Sequence, residues 1–155
     1  MASANAIYAD PGALLKLYLR EPQSRAMALW RAKIKGPLLI THHGRVELIN
    51  GTGLAAHRGY IDAVAHRAAM AALEDDFSTG RYVLADLLWR STLNRAGEIS
   101  REHTPTIGCR SLDALHVASA LELGSRRFVT FDLRQQRLAR AVGLRLSVPA
   151  ADSAR

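Results

Sequence analysis

Four acidic residues, Asp10, Glu47, Asp113 and Asp132, stand at the margins of apolar segments instead of in exposed charge runs. Asp10 closes the run Ala6-Ile7-Tyr8-Ala9, and Asp132 closes Phe128-Val129-Thr130-Phe131. Glu47 and Asp113 fall in stretches patterned as helices that begin just after a strand or a loop. An unpaired carboxylate is costly to bury, so acids placed in this way call for a partner. If the strands run parallel, ends that share one edge bring such side chains into a single anionic cleft. A hard divalent cation, Mg²⁺ or Mn²⁺, relieves that repulsion, because it takes oxygen ligands and keeps several waters. A water deprotonated there can attack phosphorus in line while the cation stabilises the leaving oxygen. The pattern predicts metal-dependent hydrolysis of phosphodiesters. In the absence of metal, repulsion is expected to raise at least one carboxylate pKa.

The elements that must position these acids are legible from periodicity. Strand-like segments are Asn5–Ala9, Pro37–Thr41, Tyr82–Ala85, Arg127–Phe131 and Leu144–Val148. Helical spacing joins Ala13, Leu14, Leu17 and Tyr18, and then Ala26, Leu29, Trp30 and Ile34. Residues 43–57 and 60–77 form two more helical stretches, with Gly59 between them, and Leu87–Ile99 follows. A loop rich in Thr, Pro and Gly is expected from His103 to Gly108. Ser111 is read as the cap of a helix through Leu123, and Leu133–Val142 as the last helix. Strands alternating with helices predict an α/β fold, with helices on both faces of a central, mainly parallel sheet of four to five strands. Residues 1–148 are expected to form one domain, and 149–155 a short polar tail that frays.

Nearly half of the 155 residues are apolar, which excludes disorder for the bulk of the chain. No apolar run approaches the ~20 residues of a membrane span, and no signal peptide is visible. Cys109 is the sole cysteine, so a reducing, cytoplasmic setting is expected. Net charge is +7, with 18 Arg against 3 Lys. If four of the acids share one pocket, the remaining surface is still more basic, which suits a polyanion gripped by Arg forks.

The segment from Tyr8 to Tyr18, with Glu21 after it, resembles the opening of PIN-domain nucleases. Val46-Glu47-Leu48 is similar to their second motif, the run from Arg110 to Leu121 to the third, and Phe128-Val129-Thr130-Phe131-Asp132 to the fourth. Order and spacing agree from about residue 6 to residue 148, and the resemblance is closest to the VapC-type toxins of toxin–antitoxin pairs. It implies a three-layer α/β/α fold and Mg²⁺- or Mn²⁺-dependent endoribonuclease activity. It further implies an RNA substrate, a homodimer, and an antitoxin whose C-terminal segment enters the active site. Metal would be held by Asp10 and Asp113, with Glu47 and Asp132 acting directly or through water. Thr130 keeps the hydroxyl expected before the fourth acid and could orient a metal-bound water. Many relatives carry a hydroxyl residue two positions after the first Asp, where this chain has Gly12.

Rival readings are weaker. Gly51-Thr52-Gly53-Leu54-Ala55-Ala56 has the form of a dinucleotide fingerprint, but it reads equally well as one helix from Gly44 to His57. A phosphate-receiver domain needs a late Lys, and all three Lys lie before residue 36. His116, one turn beyond Asp113, is expected to pack in the helix and bond to backbone. Glu21 is the favoured outer member of the site. The alternative functions are a PIN-fold module that binds RNA or protein without catalysis, and a DNA-directed nuclease.

Overall fold

The computed structural model describes residues 6–147 and Pro149. In chain order the elements are β1 (Ile7–Ala9), α1 (Pro11–Leu15), α2 (Ser24–Lys33), β2 (Leu38–Thr41), α3 (His42–His57), α4 (Ala63–Ser78), β3 (Tyr82–Ala85), α5 (Trp89–Ile107), α6 (Ser111–Glu122), β4 (Arg127–Val129), α7 (Leu133–Ala141) and β5 (Arg145–Leu146). The expected strands and their alternation with helices are present. They are hydrogen-bonded as a set of three, ordered β1-β4-β5, and a pair, β2-β3. Val148, Asn5 and the expected tail from 150 onward lie outside the described residues. The chain forms two compact units, one containing residues 6–10 and 85–147, the other residues 11–84.

In the first unit β4 pairs in parallel with both β1 and β5. The register sets Ile7 opposite Arg127, Tyr8 opposite Phe128 and Ala9 opposite Val129. Parallel strands need a long crossover, and α5 and α6 pack against each other within it. The core gathers Tyr8, Ile99, Val117, Phe128, Leu138 and Leu144 among small residues such as Ala114, Ala118 and Ala120. Those alanines on α6 let its backbone approach its neighbours closely. Tyr8 and Phe128, paired in register, stack with ring centroids 5.5 Å apart.

The loop expected from His103 to Gly108 is instead the last part of α5, with Pro105 inside the helix. Proline removes only one hydrogen bond here, to the Arg101 carbonyl, near the helix end. Packing of Ile107 on the core outweighs that loss. Gly108, at φ 71°, closes the helix by donating its N–H to the Thr104 carbonyl at 2.8 Å. Ser111 is the first residue of α6 and not its cap, which is Arg110.

In the second unit α3 starts directly after β2, with Thr41 accepting from the Gly44 N–H at 3.1 Å. Asp62 caps α4 in the same manner through Ala65, so that helix begins later than Gly59 suggests. Helix α1 stops at Leu15, and Leu17 and Tyr18 continue in tighter turns. The dinucleotide-like glycines lie inside the unbroken helix α3, which rules out a strand–loop–helix cradle there. A Cβ on Gly51 would come within 2.5 Å of Leu15 Cδ1, so the missing side chain lets α1 seat against α3.

Candidate active site

The strand register builds the site. Asp10 follows β1 and donates its backbone N–H to the Val129 carbonyl at 2.9 Å, extending the parallel pairing by one step. Thr130 follows β4 at the same edge. Asp10 and Thr130 thus leave adjacent parallel strands at their carboxyl ends, where α/β sheets place ligands.

Gln135, in the first turns of α7, joins the pieces. Its Nε2 donates to Asp10 Oδ1 at 3.0 Å and to Asp113 Oδ1 at 3.2 Å. Its Oε1 accepts from the Thr130 hydroxyl at 2.7 Å. Ionised carboxylates only accept, so the amide can point only this way. Gln135, Thr130, Asp113 and Asp10 are all buried. Thr130 spends its one proton on Gln135 and accepts the Asp132 N–H at 3.1 Å. In this arrangement it acts on the carboxylates through Gln135.

Asp132 is both a site acid and a helix cap. Its Oδ1 accepts the N–H groups of Arg134 and Gln135, at 2.8 and 3.1 Å, at the start of α7. Its Oδ2 faces Arg110, whose Nη2 lies 3.4 Å away. Arg110 also encloses Asp113: its backbone N–H donates to Oδ2 at 2.8 Å, its Nε to Oδ2 at 3.3 Å and its Nη2 to Oδ1 at 3.4 Å. Burial by itself pushes the Asp113 carboxyl up. The Arg110 N–H and guanidinium, with the Gln135 amide, outweigh that and hold it below the usual carboxylate range. The rise expected from mutual repulsion is reversed at Asp113, because the chain supplies its own countercharge. The contacts with Asp113, and then the nearby charges of Asp132 and Asp10, hold the Arg110 guanidinium more firmly charged.

His116 is fully buried on α6, one turn beyond Asp113. Its Nδ1 lies 2.7 Å from the Tyr8 hydroxyl, a side-chain partner on β1. With that hydroxyl donating, the ring proton sits on Nε2, the atom 4.0 Å from Asp10 Oδ1. Among the acids read from sequence, the first unit thus brings together Asp10, Asp113 and Asp132. Glu47 is half-buried on α3 of the second unit, and Glu21 of that unit is ion-paired with Lys16 at 2.8 Å.

Sequence reasoning missed Gln135 and did not single out Arg110. Arg110 carried a usable signal, an Arg three residues before an acid at a helix start. Gln135 carried none, because Gln135-Gln136 looks like an ordinary polar helix face. A hard cation fits this donor set: three carboxylates converge on positive and N–H donors that already offset their charge, and every acceptor is oxygen.

The site is a cluster of carboxylates at the carboxyl-end edge of a parallel α/β unit. Residues 7–141 match the PIN domain, and the chain belongs to that family. It is 31% identical over 150 residues to Ribonuclease VapC46 of Mycobacterium tuberculosis, covering 93% of this chain and 98% of the relative. The crystal structure of FitAcB from Neisseria gonorrhoeae superposes with a TM-score of 0.63 at 17% identity, over 90% of this chain and 95% of that one. Among the described residues no helix is long and apolar enough to cross a membrane.

Proposed function

We propose that the chain is a divalent-cation-dependent endoribonuclease, the toxin of a toxin–antitoxin pair, acting as one nuclease domain over residues 1–148. The observation that carries this reading is the convergence of Asp10 and Asp113 on one buried amide, with Asp132 joined to Asp113 through Arg110. The likeness to a protein named a ribonuclease supports RNA as the substrate, and the basic surface supports a polyanion. Asp10 and Asp113 would hold Mg²⁺ or Mn²⁺, with Asp132 and Glu47 acting directly or through water. Glu47 enters on the sequence motif alone. The bound cation would neutralise charge developing on the phosphoryl oxygens and ease deprotonation of an attacking water. The chain's own residues set the stage: Gln135 holds two carboxylates together, Thr130 fixes Gln135, and Arg side chains bind the RNA backbone. The VapC-type resemblance extends the reading to a homodimer, an antitoxin partner and a cytoplasmic setting.

The test is expression without a partner, alongside cleavage of single-stranded RNA by purified protein. Asp10→Asn and Asp113→Asn should abolish cleavage and growth arrest while leaving RNA binding largely intact, and EDTA should abolish cleavage by the wild type. Growth arrest by the mutants equal to that of wild type, at matched soluble expression, would overturn catalysis in favour of a binding module.

A further inference from the structure

The Arg110 side chain lies between two of the site carboxylates, Asp113 and Asp132. It reaches Asp113 through two nitrogens and Asp132 through a third contact, all between 3.3 and 3.4 Å. Charge-assisted bonds to carboxylate are commonly ~2.7–2.9 Å, so these contacts are long. The side chain is 64% exposed, whereas the Asp113 side chain it serves is 2% exposed. A buried carboxylate is therefore neutralised by a cation that is itself loosely held and open to water. Arg110 is itself held in water, so it can swing out once another cation takes over the charge of Asp113; leaving that buried carboxylate with no counter-charge would be costly. By contrast its backbone N–H, 2.8 Å from Asp113 Oδ2, is fixed at the start of α6 and would keep that carboxylate oriented after the guanidinium has left.

We propose that Arg110 is the resident counter-ion of the carboxylate site: its guanidinium neutralises Asp113 and Asp132 in the metal-free protein and is displaced from them when a divalent cation binds. This rests on the cation-dependent reading above. The chain gains a folded, unrepelled site before metal arrives, and the apparent metal affinity is lowered by the competition. The displaced guanidinium stays tethered at the rim, where its planar fork suits a phosphate oxygen pair.

Calorimetric titration with Mn²⁺ alone tests the proposal, using wild type, Arg110→Gln, Arg110→Lys and Asp113→Asn. Arg110→Gln keeps the backbone N–H and removes only the competing charge, so its Kd for Mn²⁺ should fall about fivefold. Arg110→Lys, a single point charge that cannot fork across both acids, should fall between it and wild type. Thermal melts supply a second readout. Metal-free Arg110→Gln should melt below wild type, and saturating Mn²⁺ should raise its Tm by more than it raises that of wild type. Equal or weaker Mn²⁺ binding by Arg110→Gln, with Asp113→Asn still abolishing binding, would overturn the counter-ion role and leave the metal site standing. Mn²⁺ binding by no variant, wild type included, would overturn both.

Discussion

Gln135 Nε2 lies 3.0 Å from Asp10 Oδ1, across a sequence separation of 125 residues. The same nitrogen reaches Asp113 Oδ1, so one amide holds two carboxylates that would otherwise repel. Gln135→Leu is expected to destabilise the metal-free protein by about 1–3 kcal/mol, since buried acceptors lose their donor. Mn²⁺ affinity should fall roughly tenfold or more, as it does when partners of metal ligands are removed. Urea unfolding and Mn²⁺ titration check the two effects separately. Unchanged metal affinity would confine Gln135 to a packing role.

Asp113 ties the site to acid stability. Its carboxyl is held below the usual range when folded, so the unfolded chain binds that proton more readily. The stability it contributes is fully present above about pH 5 and is lost as pH falls below about 4, through the folded value. Unfolding free energy of wild type should fall with acid in that window more steeply than that of Asp113→Asn. Parallel curves would show that Asp113 is not linked to folding in this way.

Pro105 offers a stabilising change. It is exposed and removes a donor from α5. Pro105→Ala restores an N–H toward the Arg101 carbonyl and should raise stability by about 1–3 kcal/mol, seen as a higher Tm. A lower Tm would mean that the fixed proline φ contributes more than the lost bond.

Two glycines of α3 should respond in opposite directions. A Cβ at Gly53 meets nothing within 4 Å, whereas one at Gly51 presses on three atoms of Leu15. Gly53→Ala should gain about 0.5–1 kcal/mol from helix propensity. Gly51→Ala should lose that gain or more to the displacement of Leu15. Equal stabilisation at both positions in chemical denaturation would remove the close approach of α1 to α3.

Much of the scaffold was legible because the period of apolar residues reports which face is buried, and burial is what makes a strand or helix hold. Asp10 and Asp132 stood out for the same reason, as charges ending apolar runs. Local signals failed where a distant contact outweighed them. Pro105 and the polar run around it read as a loop, but Ile107 packs on the core and the helix runs on until the Gly108 cap ends it.

By itself the sequence determined the elements, the family pattern and the acids that could bind a cation, because these depend on residue type and short-range spacing. Only the tertiary structure decided that Gln135 bridges Asp10 and Asp113 and that Arg110 joins Asp113 to Asp132. Those contacts follow from the parallel register of β1 on β4 and from how α6 and α7 pack beside it. A hydrogen bond between residues more than a hundred positions apart depends on that register to within a fraction of an ångström, which no local pattern encodes.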